Sequence, residues 1–240
     1  MCARCPRRAA LSARPAVLLF GLAGLIIGFV YTGAPFRLAN RGLGELAVGV
    51  AFGVGIVCGS AYVQAGYVPQ IALWASLPIS VLVALVLFIN GFQDAESDDM
   101  VSKRTAVVRL GKARASQFYP VIEGAALVAL IAFVVAGLLP TFALLGLAGV
   151  PLFIKAAAVA RKNYDAPMEL VPANAYTAVG HLASALGLAI GLTWAGVGGG
   201  VNATLIVVAL AGLALILYYN RSIGRLAHAF YGVKDAVAKT

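Results

Sequence analysis

Residues 71–90 read IALWASLPISVLVALVLFIN and contain no charged side chain. A helix needs about 20 apolar residues to cross the hydrocarbon core of a bilayer. Inside that core, backbone amides must find hydrogen-bond partners within their own segment or in a closed barrel. The apolar side chains of this stretch do not alternate with polar ones, as they would in a barrel strand. The stretch therefore predicts a transmembrane helix.

Six other stretches are similarly long and mostly apolar, at 15–31, 46–66, 118–138, 141–160, 175–197 and 202–219. The chain as a whole is 62% hydrophobic and 11% charged, whereas soluble domains usually carry about 25% charged residues. These features predict an all-α, polytopic transmembrane bundle of about seven helices. We expect residues 15–219 to form this membrane domain, residues 1–14 to be a disordered basic segment, and residues 220–240 to be a basic tail.

The net charge of +9 is distributed asymmetrically around the predicted spans. Threading the chain through seven spans puts most lysines and arginines on one side, in loops 32–45, 91–117 and 161–174 and in the tail. The loops of the other side carry no charge. The positive-inside rule makes the charged side cytoplasmic. We therefore expect an integral protein of a bacterial or archaeal cytoplasmic membrane, in contact with membrane lipid and not with nucleic acid.

The first fourteen residues break this pattern, because the same threading places Arg4, Arg7, Arg8 and Arg14 on the outer side. Three interpretations are open. The segment up to Tyr31 is a signal sequence, or it does not span the membrane, or helices that would normally precede it are absent.

A dense acidic patch follows the 71–90 stretch, with four of the nine acidic residues inside 94–99. On a helix that continues out of the span, Asp94 and Asp98 share a face, with Cβ atoms about 5–6 Å apart. Two facing carboxylates suit Mg²⁺, which combines a few carboxylates with phosphate oxygens and water. The next basic residues, among them Lys103 and Arg104, are donors for a diphosphate. The alternative is a solvated loop whose acids balance its bases.

Three motifs occur along the chain. The first is the N-x-x-x-D-x-x-x-D pattern at 90–98, followed by KRTAVVRLG at 103–111. The second is YTGAPFRLANRGLGE at 31–45, and the third is PANAYT at 172–177. Together they resemble motifs of the UbiA-type intramembrane prenyltransferases. The chain is most similar to the branch that prenylates 1,4-dihydroxy-2-naphthoate in menaquinone synthesis. The resemblance implies the C-terminal two-thirds of the family's helical fold.

The resemblance also implies a reaction and a set of roles. Members transfer an isoprenyl group from a polyprenyl diphosphate, bound through Mg²⁺, to an aromatic acceptor. By carry-over, Asp94 and Asp98 are metal ligands and, with Lys103, catalytic residues. The expected substrate-binding residues are Arg104 and Arg37 at the diphosphate, Asn90 beside the metal, and Tyr31, which is either near the allyl group or an interfacial anchor.

One expected motif is not found in this sequence. The family holds Mg²⁺ with two aspartate-rich motifs, and no N-D-x-x-D run occurs before Tyr31, since all nine acidic residues lie at or after Glu45. We therefore expect the N-terminal part with the first motif to be lacking. The alternative function is a truncated, non-catalytic isoprenoid-binding remnant or partner subunit. Chain length of the prenyl group, identity of the acceptor and oligomeric state are left open.

Glu123 and His181 are ionisable residues that lie within predicted spans. Two interpretations of Glu123 are open: it is a functional group within the membrane, or its side chain reaches the interface between membrane and water. His181, in the 175–197 span, is interpreted as a hydrogen-bond donor in helix packing rather than as a ligand.

Overall fold

The computed structural model describes residues 15–196, 210–219 and 221–223, and within these ranges the chain is helical without any strand. The α-helices run in the order α1 (Pro15–Thr32), α2 (Gly44–Val48), α3 (Ile56–Ala65), α4 (Gln70–Met100), α5 (Ala106–Leu110), α6 (Lys112–Val135), α7 (Val150–Asn163) and α8 (Pro167–Gly196). A π-helical segment, Gly49–Gly55, joins α2 to α3, and 3₁₀ segments occupy Leu38–Arg41 and Thr141–Gly149. Residues 210–219 are also helical.

Five segments are long and apolar enough to cross a membrane, namely Gly44–Ala65, Gln70–Met100, Lys112–Val135, Thr141–Asn163 and Pro167–Gly196. The predicted all-α, polytopic membrane bundle is therefore confirmed. The predicted span at 15–31 corresponds to α1, whose apolar part, Val17–Thr32, is shorter than the other five. The predicted segment 1–14 lies outside the described residues. So do residues 202–209 of the last predicted span and nearly all of the predicted tail.

Proline and glycine set the turns at one end of the bundle. Gly66 ends α3 in the left-handed region, with φ of 85°, and Gly137 does the same after α6, with φ of 72°. Pro69 precedes α4 in an extended conformation, and Pro140 does the same before the 3₁₀ segment. Glycine tolerates positive φ without steric cost, so both turns are short. The other end of the bundle carries the acidic and basic residues.

The charged end is tied together by contacts between its loops. Lys112, the first residue of α6, forms ion pairs with Glu96 of α4 at 2.7 Å and with Asp165, between α7 and α8, at 3.5 Å. The carboxyl ends of α4 and α7 and the amino ends of α6 and α8 therefore meet there. The structure thus places the predicted charged loops on one face of the bundle. Their cytoplasmic orientation stays a prediction.

The largest buried cluster lies just below this end. It joins α4, α5, α6, α7 and α8 through Phe92, Val107, Tyr119, Phe153 and Leu170, each completely buried. The Thr177 hydroxyl donates to the carbonyl of Ala173 at 2.7 Å, and the Tyr119 hydroxyl lies 2.7 Å from Thr177 Oγ1. Because the Thr177 proton is already used, Tyr119 is the donor in that second bond. This pair links α6 to α8 inside an apolar core.

Small residues let the α2–α3 segment approach α4 closely. A Cβ at Gly49 would lie 2.7 Å from the Ser80 carbonyl oxygen, and a Cβ at Gly53 would overlap Ser80 Oγ and Cα. Close backbone approach through small residues is a main source of helix association in membranes. The π-helical segment therefore packs directly on α4, the helix that carries the acidic pair.

We expect Gly53→Ala to destabilise the protein by about 1–3 kcal/mol, the usual cost of overpacking a filled interface. The matched control is Gly124→Ala, since a Cβ at Gly124 meets no atom within 4 Å. The control should be neutral or slightly stabilising, because alanine favours helix by up to about 1 kcal/mol over glycine. Thermal unfolding in detergent measures both. Equal unfolding temperatures for the two variants would show that the Gly53–Ser80 contact does not hold the helices together.

Candidate functional site

Helix α4 does not stop at the end of its apolar stretch but continues to Met100. Asn90, Asp94 and Asp98 follow one another at four-residue spacing on this continuous helix, and all three line one cavity. Residues three or four apart lie on the same helix face. Asp94 and Asp98, which we predicted to share a helix face, therefore lie within a helix and not in a loop.

The turn after α4 brings Lys103 back over the helix end. Ser102 takes a left-handed conformation with φ of 56°, and the Lys103 amide donates to the Asp98 carbonyl at 2.8 Å. The Lys103 ammonium also lies 3.0 Å from Asp98 Oδ1. Asp98 is 8% exposed, so this ion pair is shielded from water more than an ordinary surface pair. One lysine thus neutralises one of the two carboxylates.

The shared cavity, which we call the site cavity, has a volume of about 50 Å³. Its walls also include Tyr31 of α1, Glu45 of α2, and Lys103 and Thr105 from the turn. Tyr31 packs on Gly44, where an added Cβ would lie 3.5 Å from the phenol ring. Five of the seven predicted site residues therefore line one cavity: Tyr31, Asn90, Asp94, Asp98 and Lys103.

The other two predicted residues do not line the site cavity. Arg104 turns to Asp99, with Nε 3.6 Å from Oδ1, and more than half of its side chain is exposed. Arg37 is exposed in a left-handed backbone conformation, with φ of 43°, at the start of a 3₁₀ segment. Their contact with a diphosphate stays a prediction.

The four clustered acids divide between two faces of α4. Asp94 and Asp98 line the site cavity, whereas Glu96 and Asp99 line a separate cavity beside Lys112. Glu96 and Asp99 are balanced by Lys112 and Arg104. Asp94 forms no ion pair with any described residue. Acids that merely balance nearby bases describe Glu96 and Asp99, whereas Asp94 is exposed and has no such balancing base among the described residues.

An amide cluster fixes the site against α8. The Asn174 amide nitrogen donates to Asn90 Oδ1 at 2.7 Å and to Gln93 Oε1 at 3.2 Å. Gln93 in turn donates to the carbonyl of Pro167 at 3.1 Å. Asn174 belongs to the 172–177 motif, but the sequence alone indicates no role for it. Its partners are 84 and 81 residues away, so only the motif could have indicated it.

An apolar groove of about 430 Å³ continues from the site cavity into the bundle. It is lined by Val48, Phe52, Val83, Val86, Leu87, Asn90 and His181. Leu87 and Asn90 line both spaces. The site cavity and the groove therefore form one path, from carboxylates at the charged end to hydrocarbon side chains further along α4. The volume of the groove is typical of ligand sites.

The site cavity offers hard oxygen donors to a cation. Among residues 15–196 and the short described segments beyond them, no group of three or more His, Cys, Asp or Glu side chains is close enough to hold a metal. Mg²⁺ does not need three such side chains, because one or two carboxylates suffice when phosphate oxygens and water complete its coordination shell. Asp94 and Asp98 fit that donor set.

Comparison with known proteins gives a consistent result. The model of the UbiA prenyltransferase family matches residues 9–178. A 1,4-dihydroxy-2-naphthoate octaprenyltransferase of Mycobacterium leprae is 30% identical over 78% of this chain and 62% of its own. The Mycobacterium tuberculosis protein of the same name is 32% identical over 75% and 60%.

A 2-carboxy-1,4-naphthoquinone phytyltransferase of Synechocystis is 29% identical over 75% of this chain and 58% of its own. The chain thus spans about 60% of the length of the curated relatives it matches. No solved structure matches it.

We expect Asn174→Ala to destabilise the bundle by about 0.5–1.5 kcal/mol, since interhelical hydrogen bonds in membranes are worth about that much. A double-mutant cycle with Asn90→Ala isolates the coupling between α4 and α8. Thr193→Ala is the control, because the Thr193 hydroxyl bonds only within its own helix, to Ala189. Additive effects of the Asn174 and Asn90 substitutions on unfolding would show that this hydrogen bond does not join the helices.

Proposed function

The chain belongs to the UbiA prenyltransferase family, and from this premise we propose that it transfers an isoprenyl group from a polyprenyl diphosphate to an aromatic quinone precursor. The diphosphate binds at the site cavity, and its hydrocarbon chain and the acceptor share the membrane-embedded space below. Relatives named naphthoate octaprenyltransferases support a hydroxylated naphthoate as the acceptor and a menaquinone-type pathway. The observation that carries the proposal is the placement of Asp94 and Asp98 in one cavity at the mouth of an apolar groove.

Asp94 and Asp98 would hold Mg²⁺ in this proposal, and the metal would supply positive charge that stabilises the departing diphosphate. Lys103 already lies within 3.0 Å of Asp98, so its ammonium is within reach of a phosphate held beside that carboxylate. Fixed positive charge where negative charge develops is the main electrostatic contribution an active site makes. Asn90, held by Asn174, keeps a polar group at the boundary between the site cavity and the groove.

The apolar groove supplies what a carbocation-forming reaction needs from its surroundings. Ionisation of an allylic diphosphate leaves a cation that water would capture. Val83, Val86 and Leu87 line the groove directly below Asn90 and offer no hydrogen-bonding group to water. Exclusion of water favours capture of the cation by the electron-rich ring of the acceptor. Five helices that can cross the membrane keep this space within the bilayer.

A second candidate function is isoprenoid binding without turnover. It is favoured by the ion pair that Asp98 forms with Lys103 and by the finding that, in the part of the chain that the structure describes, no three His, Cys, Asp or Glu side chains are grouped closely enough to hold a metal. Transfer of radiolabelled farnesyl from its diphosphate to 1,4-dihydroxy-2-naphthoate separates the two functions. Product formed by the purified chain supports the enzyme, and Mg²⁺-dependent binding without product supports the second function.

We expect Asp94→Asn and Asp98→Asn each to weaken Mg²⁺-dependent binding of farnesyl diphosphate at least tenfold, because each removes a charged ligand of the metal. The matched control is Asp99→Asn, the adjacent acid on the other face, whose partner Arg104 is exposed. It should bind as the unaltered chain does, since exposed ion pairs contribute little. Binding is measured in lipid nanodiscs with Mg²⁺ and with chelator. Equal losses from all three variants would mean that overall charge, and not the site cavity, governs binding.

A further inference from the structure

His181 is a polar side chain in an otherwise apolar part of the groove. Of the seven residues that line the groove, only Asn90 and His181 can form side-chain hydrogen bonds. Asn90 is already bonded to Asn174 at 2.7 Å. The Nδ1 atom of His181 is buried without a hydrogen-bond partner. This nitrogen forms no hydrogen bond within the described residues, and the expected role of His181 as a packing donor stays a prediction.

The position of His181 follows from the geometry of α8. It is seven residues after Asn174, which is two helical turns, so both side chains lie on the same face of α8. The rise along the helix places His181 about 10 Å further from the charged end than Asn174. Asn174 bonds Asn90 at the mouth of the groove. His181 thus lies deep in the groove, beyond the shared boundary residues Leu87 and Asn90.

The unpartnered Nδ1 indicates which ring nitrogen carries the proton. A neutral imidazole has one N–H donor and one acceptor nitrogen. Buried N–H groups without partners are rarer in proteins than buried acceptors that lack one. The proton therefore belongs on Nε2, and none of the described residues forms a hydrogen bond with this donor.

We propose that His181 is a binding residue for the aromatic acceptor and donates a hydrogen bond from Nε2 to one of its oxygens. The proposal rests on the function proposed above and specifies which substrate occupies this wall of the groove. An isoprenyl chain has no oxygen, so packing it against His181 would leave a second polar atom unsatisfied at a cost in free energy. A hydroxylated naphthoate supplies that oxygen.

The path between the two spaces allows the acceptor to react from this position. Leu87 and Asn90 line both the groove and the site cavity, so a ring held at His181 points its other end toward the Asp94–Asp98 pair. Reaction requires the allylic carbon of the isoprenyl group and the ring carbon of the acceptor to approach to about 3–3.5 Å. His181 would thus fix the orientation of the ring and select acceptors that carry an oxygen at the deep end.

Two substitutions test the proposal. His181→Met keeps an apolar side chain of similar length without a donor, whereas His181→Gln keeps an N–H donor. Each variant is reconstituted in nanodiscs with Mg²⁺ and farnesyl thiodiphosphate. Binding of 1-hydroxy-2-naphthoate is then measured by its fluorescence, with empty discs subtracted. Naphthalene, which lacks oxygen, is the second probe, and farnesyl thiodiphosphate binding is measured separately.

We expect His181→Met to weaken 1-hydroxy-2-naphthoate binding about tenfold or more, and His181→Gln to stay within about threefold of the unaltered chain. Neither should change binding of naphthalene or of farnesyl thiodiphosphate. Unchanged naphthoate binding by His181→Met would overturn the proposal, and so would an equal loss for naphthalene. A loss confined to farnesyl thiodiphosphate would place the isoprenyl chain at His181 instead.

The same measurements separate this inference from the function on which it rests. Asp94-dependent binding of farnesyl thiodiphosphate without any effect of His181 on naphthoate would remove the inference and keep the prenyl-diphosphate site. If Asp94→Asn binds farnesyl thiodiphosphate as well as the unaltered chain does, the proposed function is overturned, and the role of His181 with it.

Discussion

The backbone of a membrane helix must satisfy its own hydrogen bonds, and α4 runs as one helix over 31 residues, with Pro78, which has no N–H to donate, as its one interior proline. This continuity fixes the rotation of every side chain along the helix. Val83, Leu87, Asn90, Asp94 and Asp98 are spaced by three or four residues and form one stripe. The first three line the apolar groove and the last three line the site cavity. A single helical face therefore runs from hydrocarbon to carboxylate.

The elements around this stripe are held by different interactions at different depths. Near the middle of the bundle, Gly49 and Gly53 allow direct packing on Ser80, where apolar side chains alone would give no preference over lipid. Nearer the charged end, the Asn174 amide bridges α8 to α4. Gly91 lets buried Val107 of α5 lie against α4, since a Cβ there would come within 3.1 Å of it. Together these contacts hold the π-helical segment, α5 and α8 against α4.

Much of this arrangement follows from the sequence by local rules. Apolar length predicted the spanning helices, and four-residue spacing placed Asp94 and Asp98 on one face, because both depend only on helix geometry. The end of α4 did not follow, since the left-handed conformation of Ser102 is uncommon for a residue with a side chain. The Asn174–Asn90 bond did not follow either, because it depends on how α8 packs. Arg104 and Arg37 belong to the motifs at 103–111 and 31–45, yet neither lines the site cavity, since Arg104 pairs with Asp99 and Arg37 is exposed.

The Asp98–Lys103 pair shows how such a site keeps a buried carboxylate at the charged end of the bundle. A buried carboxylate without a partner would be costly, and its ion pair with lysine offsets part of that cost. Asp94 is exposed and remains hydrated, so it needs no such partner. In the proposed function, a cation held by the two carboxylates would replace Lys103 as the neutralising charge on Asp98. Lys103 would then be free to bond an anion at the same place, so cation and diphosphate would stabilise each other's binding.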